Sequence, residues 1–207
     1  MTAQTGSVAR LLLVGKYSVE MDEVTESVRG YMAGAADETF TGALMFFDGS
    51  NYSKVVFLTL EASSEGLEAF MTGSGVGLFE EARVMGFSDD LAERAWAVFG
   101  TAVVNQSASS TELYERAELA AALGPALASC ANLGRSLRDA AEAEPEELSE
   151  RIAAGTEFHP PALLLISVLG TEGVYTLERY CERYISGCKL DLASEKVWPS
   201  QELQLSY

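Results

Sequence analysis

Basic side chains are scarce in this sequence, which has 14 Lys and Arg against 31 Asp and Glu and a formal net charge of −17. Proteins that bind nucleic acid neutralise phosphates with clustered Lys and Arg. The one basic pair, Arg135 and Arg138, is followed directly by acidic residues. The composition therefore predicts no nucleic-acid partner. An acidic surface favours solubility, and it leaves open attraction to a basic protein partner.

Long apolar runs are also missing from the sequence. The longest one near the C-terminus, Ala162–Leu169, is far shorter than the ~20 residues that cross a bilayer. The first residues contain no basic segment followed by an apolar core, so we expect no signal peptide. We therefore expect a soluble, cytoplasmic protein that does not enter a membrane.

Metal-ligating and nucleophilic side chains are few, with three cysteines and one histidine. Cys130, Cys181 and Cys188 form no even set for disulfide bonding, which is typical of a reducing compartment. None of them has the Cys-x₂₋₄-Cys spacing of a zinc half-site, and His159 stands before two prolines, where it orients the start of a helix. The Gly-rich segment Gly73–Gly77 contains no Lys or Arg and is not a phosphate-binding loop. The sequence thus predicts no catalytic residue, no metal site and no enzyme.

The first half of the chain alternates strand and helix patterns. Apolar residues at helical spacing predict a helix over Ser18–Gly34 with Ser18 as its cap, and a second over Ser63–Met71. A helical turn is expected at Asp89–Trp96. The order predicts an α+β, ferredoxin-like antiparallel sheet with two helices on one face and one further strand. Five short apolar runs have the character of strands: Arg10–Val14, Thr41–Phe47, Lys54–Glu61, Arg83–Phe87 and Val98–Val104.

The second half of the chain is helical in character. Thr111–Ala141 is rich in Ala and Leu, and Gly124-Pro125 interrupts it, which favours two helices over one. Pro145 occupies a favoured first-turn position of a short helix. Ala162–Leu169 and Thr176–Tyr184 predict two more helices. We therefore predict two domains, a ferredoxin-like domain of residues 1–106 and a helical extension of residues 107–207 that ends in an ordered, extended tail.

Three short motifs in the first half resemble those of the BLUF domain, a flavin-binding blue-light sensor. In that family the first strand reads Arg-Leu-Leu-Tyr, the second strand is entered through Ile-Thr-Gly-Leu-Leu, and the third reads Phe-Gln-x-Leu-Glu-Gly. The corresponding segments here are Arg10–Leu13, Phe40–Leu44 and Phe57–Glu61. The resemblance covers residues 10–105 and implies a BLUF-like version of the ferredoxin-like fold.

The residues that hold a flavin in BLUF photoreceptors are replaced in this chain. In that family a Tyr on the first strand and a Gln on the third form a light-switchable hydrogen-bond pair, and an Asn on the first helix holds the isoalloxazine ring. The matching positions are Leu13 and Leu58, and Ala35–Asp37 supplies no Asn. An unpaired buried polar group costs about 1–3 kcal/mol. The resemblance therefore implies a domain without a cofactor; the alternative is a flavin-binding sensor or regulatory domain with non-standard contacts.

The C-terminal sequence resembles the flavin-free, testis-expressed group of BLUF-like proteins of motile cilia. Val174–Tyr180 is followed by Leu190–Pro199, which contains the Ser-Glu-x-Val-Trp-Pro pattern of that group. This resemblance implies a non-catalytic structural subunit of the axoneme of a cilium or flagellum, in a projection of the central apparatus, with axonemal scaffold proteins as partners. It also implies a homodimer or a heterodimer with a BLUF-like paralogue.

Four apolar residues are candidate partner contacts. The tract Pro160–Leu169 has more leucines than one helix face needs, so we predict that a partner covers Leu163, Leu165 and Ile166. Trp198, in the tail, either anchors the tail or contacts a partner. At the end of the third strand, Glu61 either accepts hydrogen bonds from a partner backbone or ends the strand in water.

Overall fold

Five strands form one sheet in the computed structural model, which describes residues 7–47, 54–73, 77, 79–106 and 113–186. Their order across the sheet is β4-β1-β3-β2-β5, and the neighbours are antiparallel except β2 and β5, which are parallel. The first four strands with the two intervening helices have the ferredoxin-like topology, which confirms the predicted α+β class. The strands are β1 Val8–Lys16, β2 Thr41–Phe47, β3 Val55–Ala62, β4 Glu80–Leu91 and β5 Phe99–Val104.

Six α-helices lie in the described part of the chain, and the last continues directly into a π-helix. Two of them, α1 and α2, stand between strands as predicted, and the other four follow β5. The helices are α1 Met21–Gly34, α2 Ser64–Thr72, α3 Arg116–Ser136, α4 Pro145–Ala154, α5 Ala162–Gly170 and α6 Leu177–Tyr180, with the π-helix at Cys181–Ser186.

The helices α1 and α2 cover one face of the sheet, as predicted. Val24 and Val28 of α1 and Leu67 and Phe70 of α2 are fully buried against the odd-numbered residues of β1 and the even-numbered residues of β2 and β3. Ser63 caps α2, because its hydroxyl accepts a hydrogen bond from the backbone N–H of Gly66.

The opposite face of the sheet is covered by α3, α4 and α5. Met45 and Phe57 on that face share a core with Leu133 of α3, Ile152 of α4 and Leu165 of α5, and all five are 0–1 % exposed. Because the sheet is buried on both sides, β2 and β3 are buried along their whole length. Residues on either side of the predicted boundary at 106 thus share one hydrophobic core.

Two predicted elements differ in the structure. The segment Asp89–Trp96 is not helical: β4 continues to Leu91, and Asp90 has φ of +54°. Gly124-Pro125 does not divide α3. Pro125 and Ala121, whose carbonyl loses its usual partner, both lie on the exposed side of α3, where water can hydrogen-bond that carbonyl.

The start of α1 also differs from the prediction. The helix begins at Met21 with Glu20 as its N-cap residue, and Glu20 makes no side-chain cap hydrogen bond. The predicted cap, Ser18, lies outside the helix. Asp22 and Glu23 place negative charge in the first turn instead, where the helix dipole favours it.

No single helix among the described residues is long and apolar enough to span a membrane. Taken together, Pro145–Ala154 and Thr156–Gly170 meet the length and composition of a span, with a bend of 64° between them. In this fold Leu148 and Ile152 of the first segment and Leu164 and Leu165 of the second are buried in the core beneath the sheet.

Candidate functional site

Leu13 and Leu58, which match the flavin-contacting Tyr and Gln positions of BLUF photoreceptors, are direct neighbours at the centre of the sheet. They are paired residues of β1 and β3. Leu13 is also paired with Val84 of β4, and Leu58 with Leu44 of β2. The four side chains form an apolar row across the face that α1 and α2 cover, and none is more than 8 % exposed.

Aromatic side chains close the seam between α1 and α2 over this face. The ring of Tyr31 on α1 lies edge-on to Phe70 of α2, with the ring centroids 5.2 Å apart, and it also contacts Phe40 at 6.2 Å. A Cβ atom added at Gly73 would lie 3.2 Å from the Tyr31 ring. The residues present therefore do not fit a flavin: the sheet beneath α1 and α2 offers leucine and valine in place of hydrogen-bonding groups, and the helices contact each other directly.

A buried polar cluster lies on the opposite face, at one end of β1, β2 and β3. Its centre is Glu61, which is 0 % exposed and is paired with Arg10 on one side and Thr41 on the other. Arg10 places Nε and Nη2 at 2.7 and 2.6 Å from Oε1 of Glu61. The backbone N–H groups of Ala95 and Trp96 donate to the two carboxylate oxygens, each at 3.1 Å. We call Arg10, Thr41, Glu61 and Arg94 the Glu61 clamp.

Arg94 completes the Glu61 clamp from the segment after β4. Its Nη1 donates to the Glu61 backbone carbonyl at 2.8 Å and to the Thr41 hydroxyl at 3.2 Å. Trp96, held through its N–H, packs its ring against α3, where a Cβ at Gly134 would approach the ring to 2.7 Å. The clamp therefore ties the β4–β5 connection to the sheet and places the ring on which α3 packs.

The Glu61 clamp answers the two alternatives left open for Glu61. Both alternatives are wrong, because Glu61 is buried and the backbone N–H groups that donate to it are those of Ala95 and Trp96 in its own chain. Sequence reasoning missed Arg10 and Arg94 as its partners. The signal was available for Arg10: a charged residue within an apolar strand needs a partner of opposite charge if that strand is buried on both faces.

Gly42, beside the clamp, is required by backbone geometry. It has φ of +144°, and a Cβ atom there would lie 2.0 Å from the Thr59 carbonyl oxygen. Its N–H donates to the Val98 carbonyl at 3.1 Å. The Thr-Gly motif thus supplies one clamp hydroxyl and one residue without a side chain where β2 approaches β3.

Cys130 and the histidine, His159, are buried within the fold. Burial raises the pKa of the Cys130 thiol to about 12, so the thiol remains protonated at neutral pH and is a poor nucleophile. His159 is buried with Nε2 at 2.7 Å from the Ile152 carbonyl oxygen. Among the residues that the structure describes, no group of three or more His, Cys, Asp or Glu side chains could hold a metal ion. Cys188 lies outside these residues.

The predicted partner contacts on α5 separate into two classes. Leu165 is fully buried against the sheet of its own chain, so the prediction that a partner covers it is wrong. Leu163 and Ile166 are half-buried and reach the surface of α5. The helix α5 has more leucines than one helix face needs because it packs against both the sheet and α3. Trp198 and the predicted extended tail lie outside the described residues.

Comparison with known proteins finds similarity in solved structures and none elsewhere. The sequence matches no protein-family model and no curated protein. The fold is similar to a bacterial light-regulated adenylyl cyclase, with a TM-score of 0.37 and 16 % identity over 51 % of this chain and 30 % of the cyclase chain. A second structure of a bacterial light-regulated adenylyl cyclase gives a TM-score of 0.35 and 16 % identity over 49 % of this chain and 30 % of that chain. The similarity thus covers less than a third of either cyclase chain.

Proposed function

We propose that this chain is a non-catalytic interaction subunit in which a BLUF-like domain acts as a scaffold without flavin. The observation that supports this most directly is the apolar row of Val84, Leu13, Leu58 and Leu44 beneath α1 and α2. At the two central positions a flavin-binding domain of this family has hydrogen-bonding side chains. Leucine can neither donate to nor accept from a flavin.

The surroundings of the nucleophilic groups support the non-catalytic part of the proposal. Cys130 is protonated at neutral pH because burial raises its pKa to about 12. The buried carboxylate of Glu61 is held by Arg10 and two backbone N–H groups, so it is committed to the fold. Groups that perform acid–base or nucleophilic chemistry need access to a substrate, and these groups have none.

The finer proposal concerns place and partners. We propose that the chain belongs to the axoneme of a motile cilium or flagellum, in a projection of the central apparatus, where it contacts scaffold proteins. The Ser-Glu-x-Val-Trp-Pro pattern within residues 190–199 supports this placement. On the described surface, Leu163 and Ile166 of α5 are the candidate contacts, because both are partly exposed apolar side chains on one helix.

Flavin uptake tests the absence of a cofactor. The purified full chain should show no visible absorption, before or after incubation with FMN, FAD or riboflavin and removal of the unbound flavin. The double variant Leu13→Tyr/Leu58→Gln is the matched comparison, since it introduces the Tyr and the Gln that BLUF photoreceptors have at these two positions. Tightly bound flavin in the unmodified chain would overturn the proposal and establish the sensor alternative.

Fractionation of ciliated cells tests the placement. A tagged chain should remain with the axoneme after detergent extraction. Leu163→Asp/Ile166→Asp should release it, whereas Leu113→Asp, at a position that is 52 % exposed outside α5, should not. Circular dichroism of each purified variant verifies folding. Complete extraction of the unmodified chain with the detergent-soluble proteins would contradict an axonemal role.

A further inference from the structure

Cationic and aromatic side chains lie together on the surface where α6 continues into the π-helix. The guanidinium groups of Arg179 and Arg183 both lie over the ring of Tyr175, with Cζ atoms 5.6 and 5.5 Å from its centroid. Arg183 also lies over the ring of Tyr184 at 5.8 Å, and its Nη1 donates to the Tyr175 hydroxyl at 2.7 Å. Both arginines are exposed, and Tyr184 is 45 % exposed. We call these four residues the Tyr175 patch.

The backbone beneath the Tyr175 patch is fixed to the outer edge of β4. The Tyr175 carbonyl accepts a hydrogen bond from the Val84 N–H at 3.1 Å. Nη1 of Arg83 donates to the carbonyls of Thr171 and Val174 at 2.9 and 2.6 Å. The stacked rings and guanidinium groups are therefore positioned before anything binds, and a positioned side chain loses less conformational freedom on binding than a free one.

The two arginines of the Tyr175 patch have no counter-charge in the described part of the chain. Glu178 and Glu182 precede them directly in the sequence, but no carboxylate forms an ion pair with Arg179 or Arg183. Like charges four positions apart on a helix repel each other, and an anion that contacts both removes this repulsion. Three other exposed arginines each pair with a carboxylate of their own chain: Arg29, Arg138 and Arg151.

We propose that the Tyr175 patch binds an acidic segment of a partner protein, whose carboxylates accept hydrogen bonds from Arg179 and Arg183. The inference rests on the proposed function, since it gives the chemistry of a partner for the interaction subunit. The planar guanidinium group matches a carboxylate with two parallel hydrogen bonds, and stacking on an aromatic ring leaves its edge free to donate. Tyr and Arg are also the residue types that dominate the binding energy of protein interfaces.

The charge around the Tyr175 patch favours a short acidic segment over other anionic partners. Glu178 and Glu182 are exposed on the same helical segment, and the whole chain has a formal net charge of −17. Both repel a nucleic acid or an anionic membrane, which presents negative charge over a wide surface. A second copy of this chain carries the same net charge and is repelled as a whole. A segment with a few carboxylates reaches the two arginines with much less repulsion.

Fluorescence anisotropy of labelled peptides tests the proposal on the full chain. A fluorescein-labelled peptide of Glu-Glu-Gly repeats should bind, and a Gln-Gln-Gly peptide of equal length should not. Added NaCl should weaken the binding, because salt screens exposed charges. Arg179→Gln/Arg183→Gln should weaken it by about tenfold or more, since charge-assisted hydrogen bonds are lost. Arg29→Gln/Arg151→Gln is the matched control: it removes the same charge from exposed arginines that are paired in their own chain and should bind like the unmodified chain.

Several outcomes would overturn the assignment. These are no binding of the acidic peptide, or equal weakening by the two double variants when circular dichroism shows both to be folded. Arginine-dependent sedimentation with phosphatidylserine vesicles, without peptide binding, would assign the Tyr175 patch to a membrane surface instead.

A second copy as the occupant is a further outcome of the test. Sedimentation equilibrium would then show a dimer of the unmodified chain that Arg179→Gln/Arg183→Gln dissociates, which overturns the assignment to a different protein. The flavin-uptake test does not depend on the Tyr175 patch, so failure of this inference and failure of the proposed function are distinguishable.

Discussion

Replacing Glu61 by Gln tests the clamp that joins the sheet to α3. The side chain keeps its size, but all its partners are donors: two guanidinium nitrogens of Arg10, the N–H groups of Ala95 and Trp96, and the Thr41 hydroxyl. The amide NH₂ of Gln must therefore face donors whichever way it is oriented. Arg10 also loses its counter-charge, and its side chain is only 13 % exposed.

The magnitude follows from these losses. Removing one member of a buried ion pair costs about 3–5 kcal/mol, because the remaining charge is left without compensation. A buried backbone N–H without an acceptor costs about 1–3 kcal/mol, and this cost is included in that range. We expect Glu61→Gln to lower the free energy of unfolding by about 3–5 kcal/mol. This is a large fraction of the roughly 5–15 kcal/mol that stabilises a typical domain.

Urea unfolding measures this loss. With an m-value of about 2 kcal/mol/M, the midpoint should fall by about 2 M. Glu81→Gln is the matched control, because Glu81 also forms an ion pair, with Lys16 at 2.6 Å, but is 59 % exposed; its midpoint should not change measurably. Arg10→Met/Glu61→Gln should be less destabilised than the sum of the single variants. Equal midpoints for Glu61→Gln and Glu81→Gln would refute the reasoning.

Three further perturbations test other features of the fold by the same measurement. Gly42→Ala should cost about 3 kcal/mol or more, because its Cβ would meet the Thr59 carbonyl at 2.0 Å, whereas Gly30→Ala, with nothing within 4 Å of its Cβ, should stabilise by about 0.5–1 kcal/mol. Pro125→Ala should stabilise α3 by up to about 3 kcal/mol by restoring a helical N–H; a loss would show that the proline is needed there. Burial lowers the pKa of His159, partly offset by the Ile152 carbonyl and Glu157. The unfolded chain therefore binds this proton more readily, and stability is complete above pH about 6.5 and decreases as the pH falls from there through the folded-state pKa. His159→Gln should remove that decrease, and an unchanged pH profile would contradict it.

The elements that the sequence predicts best are those whose signal lies within the element itself. The bounds predicted for β2, Thr41–Phe47, coincide with the observed strand. The start of α4 at Pro145 and the span of α5 were also predicted well. Continuous apolar runs and a proline at a helix start are local signals, and they remain readable whatever packs against them.

The errors arise where a tertiary contact decides the local conformation. Asp89–Trp96 has residues of good helix propensity, but the N–H groups of Ala95 and Trp96 are taken by Glu61. The second helical layer was foreseeable from β1, where Leu11 and Leu13 face one side and Leu12 and Val14 the other, all at most 4 % exposed. A strand that is apolar on both faces requires cover on both.

The motifs that create the resemblance to BLUF domains divide between the two faces of the sheet. Arg10, Thr41 and Glu61 lie on the face toward α3, where they form the Glu61 clamp, while Leu13 and Leu58 lie on the face toward α1 and α2. A chain can therefore keep the first set for its fold and replace the second without disturbing it, because the two sets share no side-chain contact through the sheet. Matches to Arg-Leu-Leu, Thr-Gly and Leu-Glu consequently predict the architecture of such a domain, whereas residues 13 and 58, with the missing Asn at Ala35–Asp37, bear on whether it binds a flavin.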